Sequence, residues 1–372
     1  ITIHDWRKGH LELFPYATDA YYLGIANKLA GLITNLSPKD GPEKEQVKEW
    51  ALALAYYFED VISGIGVWQA FTTKHKALYG KYLPFYEVDE EAYYPDEVNR
   101  EDVTFILWLC LQKSRKETVI NPENPFLLTL SAILYEVLNE EFERAPINDK
   151  LVERLLSFAL ADDFFLIKSL MVQLATQSYL FRPFIDGRRE DIDKVIDAYL
   201  GEMVEQGPRA YAFKTILTFH HTTGPLSLYA KDWLALMLTQ WGLEEVAAKV
   251  AAIEWLPYDA FLAERYDADY LFVKDPDGRQ YKVLREAFEG GCADTLLQQN
   301  KVLVSSLVKY DGEWMPNGLS GWYGSTGLFE TIVKKRAKMA KALGKEGGFR
   351  KPTDKSPLLY FKTTQAYLDW LK

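Results

Sequence analysis

Along the first two-thirds of the chain, apolar residues recur every three or four positions, the spacing that lines up one face of a helix. The pattern predicts a helix from the Thr18-Asp19 cap through AYYLGIANKLAGLITNL, stopped by Ser37-Pro38 and the Asp40-Gly41-Pro42 turn. A second runs from Glu43 to Ile62, and after the Ser63-Gly64-Ile65-Gly66 break a third covers Val67–Tyr79. Helices resume over 102–113, 126–142, 149–161 (with Asn148 or Asp149 as cap) and 164–179, where Asp162-Asp163 read as N-cap acids. They continue over 190–205, 210–219, 226–241 and 243–252, with Gly207-Pro208 and Gly224-Pro225 as punctuation. No fixed period relates these helices, so a regular solenoid is not expected.

Near Tyr266 the period shortens to two. YLFVKDPDGRQYKVL reads as a hairpin about Asp275-Pro276-Asp277-Gly278, and VLVSSLVKYDGEWMPNGLSGW as another about Asp311-Gly312. A basic helix over 328–343 and a short helix over 363–371 are predicted to follow. The expected fold is α+β and mostly α. A large multi-helix domain, 1–265, precedes a small antiparallel β-sheet or barrel with C-terminal helices, 266–372.

The stretch ALALAYYFEDVISGIG, 51–66, is apolar on most faces, yet it carries Glu59 and Asp60 side by side. A helix of this kind is buried, and a buried carboxylate must be paired, hydrogen-bonded or protonated. Glu59 shares a face with Leu52, Ala55 and Tyr56, and Asp60 with Tyr56, Tyr57 and Gly64; adjacent residues diverge by about 100°. Desolvation that raises a Glu pKa would suit a general acid or base. The structural alternative is an anchor that holds an Arg, a Tyr hydroxyl or a helix end. The two glycines after this helix allow positive φ, and free N–H groups there could hold an anion; a kink that lets helices cross explains them more simply.

Other candidate chemistry is sparse. The histidines are His4, His10, His75, His220 and His221, with neither HExxH nor Glu-x-x-His. His220-His221 are the metal candidates, although adjacent residues seldom ligate one ion. His75, a weak catalytic candidate, stands between two lysines, which argues for an exposed face. No cofactor is expected. Cys110 and Cys292 cannot build a disulfide framework, and Cys110 reads as a core residue.

The composition is that of a packed globular protein, 48% hydrophobic and 14% aromatic, without an apolar run long enough for a membrane span. Membrane association is therefore not expected, and the cytoplasm is the default location. The chain starts with Ile rather than Met, which leaves open a removed segment ahead of it. Its net charge of −10 is uneven: ten Lys/Arg against Glu346 and Asp354 make 334–362 +8, leaving −18 elsewhere. This segment is a candidate surface for a protein or nucleic-acid partner, with Lys334, Lys335 and Arg336 at its start and Trp314, Trp322 and Tyr323 before it. A solvated helix and ordinary sheet-core aromatics explain the same residues without a partner.

The opening IHDW…PYATDAYYLGIANKL, the segment YYFEDVISGIGVWQAF…KHKALYGKYLPFYE and the late DGEWMPNGLSGW resemble a family of uncharacterised bacterial proteins of about this length, classed as a domain of unknown function. The resemblance implies a conventional intracellular bacterial protein and transfers no reaction or cofactor. The leading expectation is a non-catalytic binding or scaffold protein using the β unit and basic helix, or the Tyr-rich loop at 79–94. The alternative is an enzyme with a pocket near Glu59, Asp60 and that loop.

Overall fold

The computed structural model describes residues 1–38, 41–114, 120–185, 189, 192–194, 196, 206–288, 302–324, 327, 329–331 and 334. Most of the expected helix 328–343, all of 363–371, most of 190–205, Cys292, Lys335 and Arg336 lie outside these residues. The fold is mostly helical with one small sheet, as the hydrophobic periodicities predict. The chain forms two compact units, the first including 1–187 and 222–246, the second 188–221 and 247–353.

In the first unit, α1 (Ile3–Gly9) and α2 (Asp19–Leu36) precede α3 (Lys44–Ser63) and α4 (Val67–Tyr79). Then come α5 (Arg100–Ser114), α6 (Pro125–Glu141), α7 (Asp149–Leu160), α8 (Phe164–Gln177) and the single turn α9 (Arg182–Ile185). α3 is the central element: α2, α4 and α5 pack around it, and every residue from Trp50 to Val61 except Ala53 is buried. That enclosure explains why its sequence is apolar on most faces.

Two helix starts match the sequence reading. Asn148 accepts from the Leu151 N–H, and Asp163 from those of Phe165 and Leu166. Thr18 does not cap α2 with its side chain. Asp19 instead turns back, accepting from Trp6 Nε1, Arg7 Nε and the Tyr16 N–H, and so ties α1 to the head of α2. The segment 80–99 forms no regular helix or strand; Tyr82 packs at a tilt against Tyr93 within it, and Tyr86 ties it to the body by donating to the Pro122 carbonyl.

The second unit contains α10 (Gln206–His220) and a closed five-stranded barrel. Its strands are β1 (Glu254–Tyr266), β2 (Tyr270–Lys274), β3 (Gln280–Leu284), β4 (Val302–Tyr310) and β5 (Glu313–Tyr323). Two helices lie between α10 and β1, α11 (Ala230–Gln240) in the first unit and α12 (Glu244–Ala251) leading into β1. Strand order is β1-β2-β3-β5-β4, with β4 returning to β1; the one parallel pairing is β3 with β5. Both expected hairpins form, but strand begins at Glu254, ahead of Tyr266. Pro257, which cannot donate to a ladder, argues against a strand there; β1 takes it at a register shift between Leu256 and Asp259. Phe261, Leu271, Val273, Val283, Leu303 and Leu307 fill the barrel. Gly318, at φ +104°, lies so close to the Tyr211 hydroxyl of α10 that a Cβ there would overlap it.

Candidate functional site

Glu59 and Asp60, although adjacent, serve different partners. Glu59 is 1% exposed. Its Oε2 meets His10 Nε2 at 2.8 Å, and its Oε1 accepts from Asn148 Nδ2 at 2.8 Å. The other ring nitrogen, His10 Nδ1, faces the Glu12 carbonyl at 2.7 Å. The closest partner of each ring nitrogen is thus an acceptor, which the imidazolium form satisfies, while the Glu12 N–H lies farther from Nδ1 at 3.3 Å. Burial lowers the His10 pKa, but the charge and hydrogen bond of Glu59 override it, and the net shift is upward from 6.5. Asn148 also donates its backbone N–H to Ser63 Oγ while capping α7. One carboxylate therefore joins the segment after α1, the core helix α3 and the start of α7.

Asp60 fills the anion-binding concavity noticed in the sequence. α3 ends at Gly64 in the left-handed region, and Gly66, also at positive φ, starts α4. The freed N–H groups of Gly66 and Val67 donate to Asp60 Oδ1 at 2.7 and 3.1 Å, and that of Trp68 to Oδ2 at 2.8 Å. The Tyr179 hydroxyl adds a fourth bond at 2.8 Å. The chain's own carboxylate thus neutralises the positive end of α4. Burial pushes the Asp60 carboxyl up to about 6, against the pull of these four donors.

A further buried acid, Asp102, escapes the sequence reading. It accepts from Tyr57 and Tyr93 hydroxyls at 2.9 and 2.7 Å and from Asn99 Nδ2 at 3.1 Å, and burial raises it to about 7. This network pins the Tyr-rich loop to α5.

A cavity of about 20 Å³ lies beside the first two acids, lined by His10, Tyr56, Glu59, Asp60, Ser178 and Tyr179 among others. A space of that size admits a water molecule and not an organic substrate. No residue of the Tyr79–Tyr94 loop lines this cavity.

The remaining candidates fall in several places. His75 is buried, contrary to the exposed face expected. It lies one turn after Phe71 on the apolar side of α4, its Nδ1 on the Lys81 carbonyl at 2.6 Å, and burial lowers it to about 4. His220, at the end of α10, takes Trp255 Nε1–H on its Nδ1 at 3.2 Å. Among the described residues, no group of three or more His, Cys, Asp or Glu could hold a metal with it or with His221. Trp314 and Trp322 pack against the barrel core, beside Tyr281 and Phe288, and Tyr323 is exposed. Lys334 is exposed. Cys110 is buried, its thiol pushed up to about 12 by desolvation.

The sequence pattern of a family described as "Protein of unknown function (DUF3843)" matches residues 4–248. The chain belongs to this family. The match encloses His10, Glu59, Asp60, Asn148 and Tyr179, so the whole buried network lies within the DUF3843 region, whereas all five strands lie after it. No curated protein and no solved structure matches the chain. Among the described residues, no helix is long and apolar enough to cross a membrane.

The His10–Glu59 pair predicts a pH dependence. His10 has a higher pKa folded than unfolded, so its stabilisation is fully present below about 6.5 and is lost as pH rises through the folded value. The difference in urea midpoint between wild type and His10→Gln is expected to be largest in acid and to shrink above that pH. The contributions of Asp60 and His75 are common to both proteins and cancel. A difference that grows with pH would refute the charged-pair assignment.

Proposed function

We propose that this protein acts by binding rather than by catalysis, as a contact or scaffold protein of the bacterial cytoplasm whose working surface is the C-terminal barrel. The observation that carries this reading is the state of the buried acids: every oxygen of Glu59 and Asp60 already accepts from the protein itself, beside a cavity only water-sized. Groups so committed hold helices together. The barrel supports the positive half of the reading. It closes in the order β1-β2-β3-β5-β4 through a parallel β3–β5 contact, and five-stranded barrels elsewhere bind oligonucleotides and oligosaccharides. Fold alone fixes no ligand.

The enzyme reading draws on the Ser178 hydroxyl, buried on the wall of the small cavity without a hydrogen-bond partner among the described residues. A thermal-shift screen separates the two. Metals, nucleotides, sugars, peptides and oligonucleotides are tested on wild type, Glu59→Gln and the barrel variant Arg265→Gln/Lys282→Gln. A ligand that stabilises the first two proteins and not the barrel variant is expected. A ligand lost only in Glu59→Gln would overturn the binding reading in favour of a site among the helices.

A further inference from the structure

Resting on the reading of the barrel as the contact module, we infer that the outer face of β1–β3 is a binding site for single-stranded nucleic acid. Bases would stack on Tyr270 and Phe272, and phosphates would pair with Arg265 and Lys282. Alternation on β2 sets the geometry. Leu271 and Val273 point into the barrel and are buried, as is Val283 on β3, so Tyr270, Phe272 and Lys282 face outward. Across the sheet, Arg265 of β1 stands opposite Phe272, and Phe272 opposite Lys282 of β3. An outward aromatic is thus flanked on both neighbouring strands by a cation, and a second aromatic follows two residues away, about 6.6 Å along the strand.

In the free protein the cations rest on the rings: Arg265 lies 3.4 Å from the Phe272 centroid and Lys282 3.4 Å from that of Tyr270. Arg285 lies 5.2 Å from Tyr266, which is exposed at the end of β1. Among the described residues, neither Arg265 nor Lys282 lies within ion-pair distance of a carboxylate, although the charge of both helps to hold the Asp267 carboxyl below its ordinary value. The neighbouring acids also have hydrogen-bond donors of their own. Asp267 accepts from the Asp269 and Tyr270 N–H groups, Asp275 from its own turn and from Tyr281, Glu264 from Gln280, and Glu313 from the Tyr270 hydroxyl. Lys274 lies 4.0 Å from Glu264. The face therefore offers outward aromatic rings with cations seated on them. A ligand that uses both carries planar π-faces in series with an anion next to each, which describes a single strand. A neutral glycan would use the rings and leave the cations unmatched; an acidic peptide would do the reverse.

The test is fluorescence anisotropy on the full chain with a labelled oligothymidine of about twelve nucleotides, a length within the range such barrels cover. Binding is expected, and an equal-length duplex should bind at least about tenfold more weakly because its bases are already stacked. With two phosphates neutralised, affinity should fall about sevenfold between roughly 50 and 200 mM salt, and Arg265→Gln/Lys282→Gln should abolish most of that dependence. Phe272→Leu keeps an apolar side chain and removes the π-face, and should cost at least about fivefold. An unchanged melting temperature and circular dichroism spectrum would establish that these variants remain folded. No binding, equal duplex affinity, or single-strand binding indifferent to all three substitutions would overturn the inference. A peptide or oligosaccharide that binds in a Phe272-dependent way while the oligonucleotide does not would overturn it too, yet leave the barrel as the contact module.

Discussion

Asp60→Ala is expected to be among the most damaging single substitutions in this protein. It leaves the N–H groups of Gly66, Val67 and Trp68 and the Tyr179 hydroxyl without their acceptor in a fully enclosed site. Each buried donor so orphaned costs about 1–3 kcal/mol. Even with partial relaxation the loss should reach about 4 kcal/mol, a large part of a domain's total stability. Asp60→Asn should be milder, because its carbonyl can still accept from Gly66 and Val67 while only the second oxygen's bonds to Trp68 and Tyr179 are lost. Urea unfolding gives the magnitude. Hydrogen exchange at the amides of 66–68 gives the location, with the start of α4 opening first. An Asp60→Ala protein within about 1 kcal/mol of wild type would mean that the carboxylate is not the cap of this helix.

The effect of Glu59→Gln should be of similar size, at a cost of about 3–5 kcal/mol, because it leaves a buried charged imidazole without its counter-ion. An amide can still meet His10 or Asn148, not both with the right polarity, since its NH₂ end only donates. The cycle with His10→Gln separates charge from packing. The double variant carries no unpaired charge, so its loss should be smaller than the sum of the single losses, with a coupling of about 0.5–3 kcal/mol. Strict additivity would show that the two side chains do not act as a pair. Oligonucleotide affinity should be the same in Glu59→Gln as in wild type where both are folded, because Glu59 belongs to the helical unit and the proposed face to the barrel.

These two acids also show how far local sequence reaches. Their burial was legible, because a carboxylate within ALALAYYFEDV has no polar face to turn to. Their divergence was legible too, from the angle between adjacent helical positions. For Asp60 the partner was nearly readable, since the Gly64-Ile65-Gly66 break supplies free N–H groups a few residues downstream. His10 and Asn148, which hold Glu59, lie 49 and 89 residues away. Nothing in either local context singles them out, because pairing across such separations is decided when helices pack. His75 illustrates the opposite error: flanking lysines suggested exposure, yet neighbours on a helix point about 100° away and say little about the residue between them.

The periodicities of 3.6 and 2 by themselves determined the mostly helical α+β fold, nearly every described helix of the first unit, both hairpins and the presence of buried acids needing partners. These follow from backbone geometry and hydrophobic burial, which act within a few residues. The tertiary structure alone decided which acceptor meets which donor, that β1 starts at Glu254 and tolerates Pro257, and that the barrel closes through β3 and β5. It also decided which aromatics serve the core and which the surface. Trp314 and Trp322, the conspicuous letters of the β region, turn inward, whereas Tyr270 and Phe272 turn out beside Lys282 and Arg265. Strand alternation offers two faces to any sequence, and only the closing of the sheet assigns one of them to the core.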